Sequence, residues 1–219
     1  MADVNTSTFI GSSVSIKQIT LNTHAGESIN LVGYYRAVTV EENLFSSAVN
    51  GKISMADTEG GLEKFAIHGG ETLTIKIAKP NSDDLIIWRE DLVITKITRN
   101  DVTIGNYVST YDMFFTSKSH IYSMKKNLFK SYKQTTLAEA VYNIYREMSS
   151  NDIIIEDPKV TLKTPFLSTG VPPHKAIDYL AQRACSKDKY FVFFERFVPV
   201  YGCFTDGKAF STTHYFGSV

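Results

Sequence analysis

The sequence predicts an α+β chain: an antiparallel β-barrel or sandwich, followed by a smaller unit with two amphipathic helices. Three observations carry this. From Val14 to Phe115, short apolar runs alternate with polar residues and are broken by turn clusters every 8–15 residues. After Phe115, apolar residues recur at helical spacing in two segments. The 219 residues include 43% apolar residues, with 14 Phe, 12 Tyr and one Trp, enough for an ordinary core.

The elements follow in order. Val14, Ile16 and Ile19 open a strand, and Ala25-Gly26-Glu27 is a turn leading to Ile29 and Leu31. Ala37–Asn43 alternates, with Val38 and Val40 set against Thr39 and Glu41. Asn50-Gly51 is a tight-turn signal, after which Ile53 and Met55 alternate with Ser54 and Ala56. Gly60–Phe65 predicts one helical turn or a corner. Gly69-Gly70 precedes the period-two strand Thr72–Ile77, and Pro80–Asp84 is a turn. Leu85–Trp88 and Leu92–Ile97 are a strand or strand pair, and Tyr107–Phe115 closes the block.

Ser117–Asn127 is expected to be helical. Thr136-Leu137-Ala138-Glu139 is a capping box, because Thr136 can bond the third amide and Glu139 can reach back. Behind it, Leu137, Ala140, Val141, Ile144, Tyr145 and Met148 share one helical face. Ile153–Ile155 is a short strand, Pro158–Pro173 a loop, and Pro173–Cys185 a second amphipathic helix carrying Ile177, Leu180, Ala181 and Ala184. Tyr190–Phe194 is a buried strand, with Val200–Phe204 pairing back onto it. Ala209–Val219 has no evident element to hold Phe210, Tyr215 and Phe216, and is expected to trail as an arm. The expected division is 1–115 and 116–219.

Charge excludes some functions. The net charge is zero, which argues against a whole-chain nucleic-acid binder and favours self-association. Residues 1–116 hold 9 basic and 14 acidic side chains, and residues 117–219 hold 14 and 9, so the halves carry −5 and +5. Met1–Ile10 lacks a basic segment followed by an apolar run, so no secretory leader is expected. No apolar run approaches the roughly 20 residues of a membrane span.

Catalytic signals are missing. The five histidines show no His-Glu-x-x-His spacing, and Cys185 and Cys203 cannot make a zinc site alone, so no metal or cofactor is expected. Gly60-Gly61 and Gly69-Gly70 lack the pattern of a phosphate loop. Cys185, at a helix C-terminus, is read as core. The lysines 118, 125, 126, 130 and 133 form the one basic cluster, a solvated face or a dock for an acidic neighbour.

Two longer stretches point to a family. Asn50-Gly51-Lys52-Ile53-Ser54-Met55-Ala56-Asp57, with Leu62-Glu63-Lys64-Phe65-Ala66-Ile67-His68-Gly69-Gly70-Glu71-Thr72-Leu73, resembles the N-terminal barrel of baseplate hub proteins of contractile-tailed bacteriophages. Val171-Pro172-Pro173-His174-Lys175-Ala176-Ile177-Asp178-Tyr179-Leu180-Ala181, followed by Phe191-Val192-Phe193-Phe194-Glu195, resembles the same family, in which a proline-led helix precedes an aromatic strand ending in an acid. The resemblance runs from about Val14 to Phe204, and type six secretion spike proteins contain a similar module.

The resemblance implies a barrel of the tail-tube type with an outer α+β domain, and no catalytic residues. It implies a virion part, made in the host bacterial cytoplasm and seated in the tail baseplate. Its partners would be itself, as a homotrimer ring, with the tail tube or tube-initiator protein, the spike protein and the tape-measure protein. DNA would only pass through, past an acidic lumen wall. Hub subunits hold two tube barrels, so that three subunits imitate six-fold symmetry; this sequence is expected to hold the first alone. The alternatives are a hexameric tube initiator or distal tail ring, and a cell-wall hydrolase with a site between the two units. Expected subunit-interface residues are Leu44, Phe45 and Trp88, apolar side chains near turns, then Lys125 and Lys126, then Phe210, Tyr215 and Phe216 of the arm.

Overall fold

The computed structural model describes residues 15–57, 67–78, 85–100, 109–133, 135–156, 166–184, 190–203 and 209–218. Its fold is α+β. Seven strands form one antiparallel sheet: β1 (Ser15–Asn22), β2 (Ser28–Asn30), β3 (Tyr35–Glu41), β4 (Asn50–Asp57), β5 (Thr72–Ala78), β6 (Leu85–Asn100) and β7 (Ser109–Ser117). Their order is β2-β1-β5-β6-β7-β4-β3.

The connectivity makes this sheet curl. β2 and β3 are opposite edges, and a flat sheet would set them about 29 Å apart. Leu31–Tyr34 joins them, and a chain from Asn30 to Tyr35 reaches at most about 18 Å. Backbone bonds hold this link to both sides: the Leu31 amide donates to Ile19, and the Ala56 amide donates to Tyr34. The inner face collects Ile19, Leu21, Ile53, Leu73, Ile75, Leu92, Met113 and Phe115 as one core.

The Asn50-Gly51 turn expected from sequence is instead the start of β4, paired with β3 and β7. Glycine is needed there for space. A Cβ on Gly51 would lie 2.2 Å from the Phe115 ring and 2.6 Å from the Thr39 carbonyl oxygen. The Gly69-Gly70 corner does need unusual backbone, with φ of +99° and +92°. The buried Glu71 carboxylate fixes it by accepting the His68 and Gly69 amides, both at 2.8 Å. β6 is one strand of 16 residues, with register shifts opposite β5 and β7. Gly60–Phe65 lies outside the described residues.

The chain then continues through α1 (Lys118–Lys125), β8 (Leu128–Tyr132), α2 (Leu137–Tyr145), β9 (Ile153–Ile155), β10 (Phe166–Val171), α3 (Pro173–Ala184), β11 (Phe191–Cys203) and β12 (Ala209–Ser218). The capping box forms as expected: Thr136 Oγ1 accepts the Glu139 amide, and Glu139 accepts the Thr136 amide. α2 and α3 bury their apolar faces in a second core with Phe191, Phe193 and Phe216. Part of the expected 158–173 loop is strand β10, paired antiparallel with β8.

The expected arm is not an arm. Residues 209–218 form β12, the central strand of a three-stranded sheet, between β11 and the parallel β9. The hairpin partner of Phe191–Glu195 is therefore β12; Val200–Cys203 belongs to the same long strand as Phe191. β12 is the return strand of a hairpin with β11, Cys203 pairing with Ala209, and only its parallel partner β9 comes from a distant segment.

Candidate functional site

One strand links the two cores. Phe191, Phe193, Glu195 and Phe197 sit at every second position of β11, so an ideal strand would aim them to one face. Phe191 and Phe193 enter the helical core, Phe197 enters the core of the curled sheet, and Glu195 lies between. The ladder to β12 shifts between Glu195 and Val200, so Arg196–Pro199 leaves regular pairing. Pro199 has no N–H to contribute there.

Arg89 of β6, only 2% exposed, fills that gap. Its Nη1 donates to the carbonyls of Arg196 (2.9 Å) and Phe197 (3.3 Å). Its Nη2 donates to Glu195 Oε1 at 2.7 Å, and Nε and Nη2 grip both oxygens of Asp91 at 2.6 and 3.1 Å. The guanidinium also lies over the Phe197 ring. Burial works to lower the Arg89 pKa, but the carboxylates of Asp91 and Glu195 outweigh it and raise it. The other Glu195 oxygen accepts the Val49 amide at 3.3 Å, and the Phe197 amide donates to Glu42. A buried charge is thus held by partners from both sides of the chain.

Next to Glu195 stands His214 of β12, 1% exposed. With Ser119 and Glu195 it makes a trio that resembles a hydrolase site, and its geometry argues against that use. Ser119 Oγ and Glu195 Oε2 both approach Nε2, at 3.2 and 3.8 Å. A nucleophile–base relay needs the carboxylate on the opposite nitrogen. Here Nδ1 meets the Tyr145 hydroxyl at 3.1 Å, and that hydroxyl donates to the Asp152 carbonyl at 3.3 Å. The tautomer with its proton on Nδ1 satisfies every member, with Ser119 donating to Nε2. Burial lowers the His214 pKa and keeps the ring neutral. Ser119 is itself buried, at the wall of an open cleft. The trio joins α1, β11 and β12, and Tyr145 adds α2.

A pair of histidines joins α1 to α3. The His120 and His174 rings are 5.1 Å apart, and Ser123 Oγ accepts the His174 amide and bonds its Nδ1. Burial pushes His174 down to about 4. Among the described residues, no three His, Cys, Asp or Glu side chains converge as metal ligands. No described helix is long and apolar enough to cross a membrane.

Exposed apolar side chains among the described residues include two groups near turns and strand faces. Leu44 and Phe45 project from the β3–β4 loop, with Phe45 82% exposed. The outer face of the β8–β10 pair presents Phe129 (75%) and Leu167 (61%). An open cleft of about 450 Å³ between α1 and the end of α2 is lined by Lys118, Lys126, Arg146, Asp91 and Glu147.

The other expected interface residues are distributed differently. Lys125 ends α1, exposed, and Lys126 caps the helix and pairs with Glu147. Tyr215 is half-buried against Phe194 and bonds Glu156. Phe216 is wholly buried in the helical core, which it shares with Phe191. Trp88 and Phe210 lie on β6 and β12, with side chains outside those described. Of the central groups at the junction, Glu195 is the acid that ends the aromatic strand noted in the sequence, whereas Arg89 and His214 carried no sequence signal. The three are 19 to 125 residues apart, and only the fold assembles them.

No protein-family model and no curated protein matches the sequence. Solved structures do match the fold. The 43 kDa tail protein of prophage MuSo2 from Shewanella oneidensis aligns with a TM-score of 0.53 and 13% identity, over 89% of this chain and 53% of that one. A tail protein from Neisseria meningitidis MC58 aligns with a TM-score of 0.53 and 9% identity, over 91% and 50%. An E. coli component of the type VI secretion system, itself similar to T4 bacteriophage tail proteins gp27 and gp5, aligns at 0.51 and 11%, over 93% and 48%. The chain spans about half the length of these structures. It shares the fold of tail proteins.

Proposed function

We propose that this chain is a structural subunit of a phage-type tail baseplate hub, part of a ring that joins the tail tube to the central spike and lets DNA pass. The observation that carries the reading is the fold shared with two tail proteins over about nine-tenths of the chain, which spans the curled sheet and the helical region together. In this reading, residues 1–115 form the tube-like barrel domain and residues 116–219 the outer α+β domain.

Three features support it. A curled antiparallel sheet with an apolar interior leaves its polar outer face to meet neighbours and the lumen. The excess of 14 acidic over 9 basic residues in 1–116 suits a wall past which DNA slides, because acidic groups repel phosphate. Zero net charge favours association. The partners we propose are further copies of the chain as a homotrimer, the tail tube or tube-initiator protein, the spike and the tape-measure protein. The location is the virion tail, after synthesis in the bacterial cytoplasm. The Ser119–His214–Glu195 geometry speaks against the hydrolase alternative.

The test is to label the purified chain with gold and add it to polymerising tail-tube protein from the same virus. Electron microscopy should find the label at one end of each tube. Label along the whole tube would favour a tube subunit, and label nowhere on the tube would contradict the proposal.

A further inference from the structure

A closed ring of identical subunits requires each subunit to present two different, complementary patches, one to each neighbour. Among the described residues, two groups of exposed apolar side chains fit that requirement, and their surroundings differ in charge. The first patch is the Leu44–Phe45 loop. It follows Glu41 and Glu42, and no Lys or Arg occurs from Ala37 to Gly51. The second is the outer face of β8–β10, with Phe129 and Leu167 diagonal to each other across the ladder. It stands among Lys125, Lys126, Lys130 and Lys133, with Glu147 taking up Lys126 and Lys130.

Both patches are fixed in shape before any partner arrives. Asn43 Oδ1 accepts the Phe45 amide at 2.8 Å, and the Asn43 carbonyl accepts the Ser46 amide at 3.0 Å. Downstream, the Ser46 carbonyl accepts the Glu195 amide, and Ser47, Ala48 and Val49 are buried. The loop is therefore tied to the central strand of the molecule and holds Phe45 out as a rigid knob. On the other patch, the Phe129 ring lies over Gly170, where a Cβ would stand 3.1 Å from two ring carbons. Little ordering cost remains for either side to meet on binding.

We infer that the acidic Leu44–Phe45 knob of one copy docks on the basic Phe129–Leu167 face of the next. The inference rests on the ring proposed above and assigns its contact. The occupant is a second copy because the opposite charges and the two apolar patches belong to the same chain. A head-to-tail contact of this kind closes into a ring when the rotation between copies allows it.

The test uses the full chain. Phe45→Cys and Leu167→Cys variants are purified separately, mixed, oxidised mildly, and the linked peptides identified by mass spectrometry. The expected product is a disulfide between positions 45 and 167 of different copies, absent when either variant is oxidised alone. Phe45→Ser and Phe129→Ser should each weaken assembly by about tenfold or more, since each removes a large apolar side chain from the contact. Both leave the unfolding transition of the single subunit unchanged, because both side chains are already exposed. Glu41→Lys should weaken assembly, and added Lys133→Glu should restore it. Rings that give no 45–167 link from the mixed cysteine variants, and that form normally from both serine variants, would overturn this contact and leave the ring proposal standing. A serine variant that loses spike or tube binding but keeps its ring would assign the patch to that partner and overturn the inference. A wild-type chain that never forms rings, alone or with tail proteins, would overturn both.

Discussion

In the seven-stranded sheet, every strand except β2 and β3 has a ladder partner on each side, and four residues join those two edges. After Ser117 the strands fall into a pair and a trio, each with open edges, and helices α2 and α3 cover the core. The first region manages its edges through its own connectivity. The second leaves edges and apolar side chains at the surface, including Phe129 and Leu167. The sheet thus closes its own edges and offers the Leu44–Phe45 loop to neighbours, whereas the helical region offers the face of a strand pair. The two regions meet over a buried ion network beside Phe197, which enters the core of the sheet, so their relative position depends on a few directional bonds together with that apolar anchor.

The largest expected effect is at that junction. Arg89→Met leaves Glu195 buried without its cation and should destabilise the protein by about 3–5 kcal/mol, read by denaturant unfolding. Adding Glu195→Leu should recover a good part of the loss, because the uncompensated charge goes with it. If Arg89→Met costs less than about 1 kcal/mol, the network does not hold the regions together. A smaller effect is expected inside the sheet. Gly51→Ala forces a methyl against Phe115 and the Thr39 carbonyl and should cost about 1–3 kcal/mol, the range of overpacked cores. An unchanged midpoint would mean that β3, β4 and β7 are less tightly packed than described here.

Legibility in the sequence followed the range of the interactions. α2 was readable because its capping box and apolar face lie within twelve residues, from Thr136 to Met148. Asn50-Gly51 misled because a turn and a close-packed strand both ask for glycine, and the deciding neighbour, Phe115, is 64 residues away. β12 is hard to read as a strand because Val200–Cys203 looks like the return strand of Phe191–Glu195, whereas β11 runs on through it, and because the parallel partner β9 lies far back in the chain. The exposure of Leu44 and Phe45 was anticipated from their place near a turn. The burial of Phe216 was not, since it depends on Phe191 across the ladder. Of the Arg89–Glu195–His214 network only Glu195 stood out, as the acid ending an aromatic strand; Arg89 and His214 alone read as an ordinary surface charge and a strand residue.

The central claim is that this chain is a ring-forming tail subunit, and the mass of the purified protein in solution tests it most directly. The measurement is made alone and then with the tail-tube and spike proteins of the same virus. A stable trimer, formed alone or on those partners, is the predicted result. A chain that stays monomeric in every mixture would contradict the account.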